Sequence, residues 1–140
     1  MLCSVFTVPW RWDRAAVKGA EGKYEDAMQQ IIAAESIGLP LPPNFMLLKA
    51  VLARQLGDPK LALLCTAEAR KQIRPYKRYS DAEKKYLECF ASHLNVKLAR
   101  ELGESEPHDC VVDFASVDLE KVPGGAKNIF PLREHPAWRK

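Results

Sequence analysis

The chain has 140 residues, 47% of them hydrophobic and 28% charged, and a formal net charge of +3 from 21 Lys and Arg against 18 Asp and Glu. That length suits one domain with a single core, and that composition belongs to a soluble globular protein rather than a fibrous or disordered one. The charge is too small to argue for nucleic acid on its own, and no window approaches the roughly 18 uninterrupted apolar residues of a membrane span.

The opening segment MLCSVFTVPWRW has no basic leader, long apolar core or small-residue cleavage site, so a cleaved signal peptide is not expected. Pro9 to about Ala20 is weakly helical, with Trp12, Ala16 and Ala20 at spacings of four. Gly22 breaks that pattern. Residues 24–37 predict an amphipathic helix, since Ala27, Ile31 and Ala34 with Met28, Ile32 and Ile37 form one apolar stripe. Gly38 and LPLPP end it, because proline cannot continue a helix and restricts the residue before it.

The next helix, 43–56, carries Phe45, Met46, Leu48, Val51, Leu52 and Leu56 around most of its circumference, which predicts a place between other helices. LGDP then reads as a stop and a start: Gly57 suits a left-handed cap, Asp58 an N-cap and Pro59 the first helical position. A helix over 59–73 follows. SDAE at 80–83 is a capping box that opens a longer helix to Leu102, closed by Gly103. Beyond Gly103 the character changes. Residues 104–120 hold six acidic residues and no Lys or Arg, and 121–140 hold five basic residues and one acidic. This segment is too poor in apolar residues for its own core, so the expected organisation is a helical domain over 1–103 and an extended tail over 104–140. Only CVVDF within it has strand character.

Residues 22–40 and 57–75 align without gaps. Gly22 matches Gly57, Ala27 matches Ala62, Ala34 matches Ala69 and Pro40 matches Pro75. Four identities in 19 positions exceed the roughly one that average composition gives. A unit of about 34 residues, each a helix, a tight turn and a helix, marks stacked helical hairpins. On Gly22, Tyr24, Ala27, Ile31, Ala34 and Pro40, and on the worn second copy, the chain resembles the tetratricopeptide repeat family over about residues 9–102. The resemblance implies an all-α fold of stacked antiparallel hairpins, about two and a half repeats, with a concave partner-binding surface. Carried over position by position, that surface would hold Trp12 and Ala16, then Asn44, Leu47, Val51 and Arg54, then Tyr79, Ala82 and Tyr86. Arg11 and Arg14 depart from the family pattern, standing where apolar residues are expected. The same helices would also make an ordinary five-helix bundle with a coincidental spacing.

Several constellations point to chemistry. Cys89 and His93 share a helix face and His108 and Cys110 lie together, but neither pair has zinc-finger spacing, so no metal or other cofactor is expected. Cys3, Cys65, Cys89 and Cys110 are widely spaced and form no CxxC, the usage of free thiols in a reducing, intracellular compartment. No nucleophile elbow or phosphate loop is present, and no enzyme is expected. The stretch 70–85 has seven basic and two acidic residues with Tyr76 and Tyr79 between them. Arg74, Lys77, Arg78, Lys84 and Lys85 there are candidates for RNA contact, weighed against a solvated turn whose aliphatic stems cover a helix junction. In the tail, Phe130 and Trp138 are the candidates for partner contact, since large apolar residues in an extended segment pack either on the body or on a partner. The expected function is a non-catalytic scaffold that binds a peptide or helix of another protein. The alternative is a small structural subunit of a larger complex, such as a ribonucleoprotein, contacting RNA through 70–85 and the tail.

Overall fold

A computed structural model describes residues 14–103, apart from 16, 20 and 39. The expectations placed on Trp12, Ala16, Phe130, Trp138, CVVDF and the whole 104–140 segment lie outside the described residues. Within them the fold is all-helical, and no strand occurs. Four helices are complete: α1 (Tyr24–Ser36), α2 (Pro43–Gln55), α3 (Pro59–Ile73) and α4 (Asp81–Glu101). Helical backbone also occurs before α1, at 14–15 and 17–19. Each observed boundary lies within one residue of the sequence expectation.

The starts and stops have the predicted causes. Asp58 Oδ1 accepts from the Leu61 backbone N–H at 3.1 Å, with Pro59 at the first position of α3. Ser80 and Glu83 form the reciprocal capping box: the Glu83 N–H donates to Ser80 Oγ at 3.2 Å, and the Ser80 N–H donates to Glu83 Oε1 at 3.0 Å. Pro43 opens α2.

Two turns are built alike. Gly22 and Gly57 both sit at φ +83°, in the left-handed region that glycine adopts without penalty. The residue after each closes the preceding helix with the same long bond, Lys23 N–H to Lys18 O and Asp58 N–H to Ala53 O, both 2.9 Å. A new helix starts one residue later in both places.

Helix α2 lies at the centre. It packs most extensively on α3 and also against α1 and α4, while α4 packs chiefly on α3. A helix apolar around most of its circumference needs such a place, as the sequence anticipates. Ile31, Leu47, Leu48, Leu52, Ile73, Leu87, Phe90, Leu94 and Leu98 are the large fully buried side chains. Between them Ala27, Ala50, Ala62 and Ala69 are wholly buried, and methyl-sized side chains let neighbouring helices approach. No described helix is long and apolar enough to cross a membrane.

Candidate interaction surfaces

At 100° per residue, Asn44, Leu47, Val51 and Arg54 share one side of α2. Two links show what that side faces. The Tyr79 hydroxyl donates to Asn44 Oδ1 at 2.7 Å and accepts from the Asn44 backbone N–H at 3.1 Å. At the other end, Arg54 Nε donates to Glu101 Oε1 at 2.7 Å, tying α2 to the last turn of α4. The structure therefore brings together the expected groove positions of α2 and of the segment leading into α4, but in the interior. Asn44, Leu47, Val51, Tyr79 and Tyr86 are all buried, Ala82 is half-buried, and the Arg54 side chain keeps 16% of its surface exposed. A face that the repeat pattern assigns to a partner is thus packed within the chain.

The Asn44–Tyr79 pair joins the start of α2 to the entry of α4, and nothing in the sequence marked it as a bond. Burial pushes the Tyr79 hydroxyl well above its ordinary ionisation range, outweighing the opposing effect of the Asn44 hydrogen bond, with Tyr76 and Glu83 adding to the rise. Tyr79→Phe should lower stability by about 1–2 kcal/mol through two lost hydrogen bonds, read from denaturant midpoints. The pH dependence follows from the direction of the shift. An unfolded tyrosine ionises near about pH 10 and the folded Tyr79 only above it, so its contribution is complete below that value and falls away as pH rises further. In a spectrophotometric titration, Tyr79→Phe should remove a late tyrosine ionisation step.

On the other side of α2, Met46 and Lys49 line a pocket of about 360 Å³ with Glu35 of α1, Leu41 of the preceding loop, and Leu64, Cys65 and Glu68 of α3. Lys49 Nζ and Glu35 Oε1 pair across it at 2.8 Å. Burial raises the Cys65 thiol, outweighing Lys49, which lowers it, so this sulfur stays protonated and a poor nucleophile. Leu64 stands at the rim, 70% exposed, and Ile32 lies one turn before Glu35 on α1, 54% exposed. Sequence pattern hid this site because α2 is apolar around most of its circumference, so its pattern does not show which side borders α1 and α3.

The basic stretch divides in two. Arg74 is held by Glu88, Nε to Oε1 at 2.7 Å and a second bond to Oε2 at 3.1 Å, and Lys84 Nζ donates to the Arg74 carbonyl at 2.9 Å. Lys77, Arg78 and Lys85 are exposed. Of the two aromatics, Tyr79 is buried against Tyr76, their ring centroids 4.4 Å apart, so Tyr79 offers no face for base stacking. Cys65 and Cys89 are buried and in no disulfide, and no three His, Cys, Asp or Glu side chains converge as metal ligands among the described residues. His108 and Cys110 lie outside the described residues. Compared with family models, curated proteins and solved structures, the chain matches none.

Proposed function

We propose that the chain is a non-catalytic interaction module, a short stack of TPR-like helical hairpins that holds a peptide or helix of another protein. The observation that carries this reading is the pair of equivalent turns. Gly22 and Gly57, 35 residues apart in sequence, share φ, the long closing bond and the immediate restart of a helix. Ala27 and Ala62, and Ala34 and Ala69, are buried alike after them. Repeated hairpins are built for binding along an extended face rather than for a deep reactive cleft. The side of α2 facing α4 is filled, so the seat in this reading is the pocket among α1, α2 and α3, rimmed by Leu64, with Met46 on its wall and the Lys49–Glu35 pair across it. Arg54 and, beyond the described residues, Trp12, Phe130 and Trp138 are further contact candidates.

Affinity purification of the tagged full chain, with mass spectrometry, tests this. Met46→Glu should lose a saturable protein partner whose binding is weakly sensitive to salt, while Lys77→Glu with Arg78→Glu should leave it bound. The alternative, a complex subunit contacting RNA, draws on the exposed Lys77, Arg78 and Lys85. Recovery of RNA instead, with affinity falling steeply as salt rises and lost in the Lys77/Arg78 variant, would replace the first reading with the second.

A further inference from the structure

Helix α3 turns an exposed strip outward that runs from Lys60 through Leu64, Ala67 and Glu68 to Lys71. At its centre Leu64 is 70% exposed, ahead of Ile32, Val17 and Leu56, the other large apolar side chains at the described surface. Residues four before and four after Leu64 share its side of the helix. Those are Lys60 and Glu68, of opposite charge and two turns apart, too far along the helix to pair with each other. Neither forms an ion pair among the described residues, and Glu68 Oε1 accepts only from Gln72 Nε2 at 2.8 Å.

We propose that this strip is a self-association surface, on which α3 packs antiparallel against α3 of a second copy about a two-fold axis passing beside Leu64. Under that symmetry each position n residues after Leu64 faces the position n residues before it on the other copy. Lys60 then meets the partner's Glu68, and Glu68 meets the partner's Lys60. Ala67 falls opposite the partner's Leu61, where a methyl-sized side chain permits close approach. The two leucines cover one another, removing from water the most exposed large apolar side chain among the described residues. A parallel pairing would set Lys60 against lysine and Glu68 against glutamate. A foreign helix of uniform charge would satisfy one end of the strip and repel the other. A single-helix contact of this kind is small, so the dimer is a weak and concentration-dependent one.

The inference does not rest on the interaction-module reading: the second copy and that reading's partner would compete for the surface at Leu64, so Met46→Glu tests the partner and the Lys60/Glu68 charge swap tests the dimer. Sedimentation velocity of the full chain over a range of concentration and salt tests it. The wild type should shift from monomer to dimer as concentration rises. Leu64→Asp, Lys60→Glu and Glu68→Lys should each lose the dimer while far-ultraviolet circular dichroism stays unchanged, as expected for exposed positions. The double variant Lys60→Glu/Glu68→Lys should regain it, and the two single charge variants mixed together should form a mixed dimer. A chain monomeric throughout, a dimer indifferent to these substitutions, or failure of the double variant to recover would each overturn the proposal.

Discussion

Replacing Phe90 with alanine should lower the unfolding free energy by about 3–5 kcal/mol, the largest loss expected from one truncation here. Phe90 is wholly buried in the middle of α4, on a helix that also buries Tyr86, Leu87, Leu94 and Leu98. Removing the ring forfeits its transfer from water and leaves a cavity that the surrounding helices close only in part. The effect bears on function as well as stability. Helix α4 and its entry segment face the side of α2 that holds Asn44, Leu47 and Val51, with Tyr79 and Arg54 as the links. Loosening α4 therefore loosens the packing over the surface that the repeat pattern assigns to a partner. Denaturant unfolding followed by circular dichroism should show a lower midpoint with the slope preserved, as for a single cooperative unit. A loss no larger than about 0.5 kcal/mol, the size of an ordinary surface effect, would mean that α4 is not integral to the core.

The helix boundaries were legible because they are local. Gly57, Asp58, Pro59, Ser80 and Glu83 act on backbone groups within a turn of themselves, and each does in the fold what its type and spacing predict. The burial of Ala27, Met28, Ile31 and Ala34 was legible for a similar reason, since they form the centre of the apolar stripe of α1. Ile32 and Ile37, counted on its flanks, are exposed and half-buried respectively, because the core reaches only that centre. The site was less legible. Helix α2 is apolar nearly all round, so its sequence does not say which side meets α4 and which borders the pocket at Met46 and Lys49. The repeat pattern assigned Asn44 and Tyr79 to a surface, whereas a tyrosine hydroxyl within reach of an asparagine 35 residues away is a tertiary fact with no local trace. In the basic stretch, sequence counted charges but not their distribution: Arg74 is tied to Glu88, while Lys77 and Arg78 remain exposed.

Leucine at Ala62 should cost about 1–3 kcal/mol, and leucine at Ala27 a similar amount, because each would force three extra carbons into a closed contact. Both alanines are wholly buried, five residues after Gly22 and Gly57, which have the same backbone conformation. The exposed Gln29 gives the comparison: Gln29→Leu, on the outer side of α1, should change stability by no more than about 0.5 kcal/mol. The pairing of the two alanines matters more than either value. In a stack of equivalent hairpins, each alanine marks the same close approach between one helix and its neighbour, so the two penalties should be alike and both should exceed the surface control. In a bundle whose spacing is coincidental, the two sites have unrelated neighbours, and their penalties have no reason to agree. Melting temperatures of the two single variants and the control separate these cases. Comparable losses at Ala27 and Ala62 would support the repeat register, and an unchanged melting temperature for both would remove it, because a position that accepts leucine freely is not a point where two helices touch.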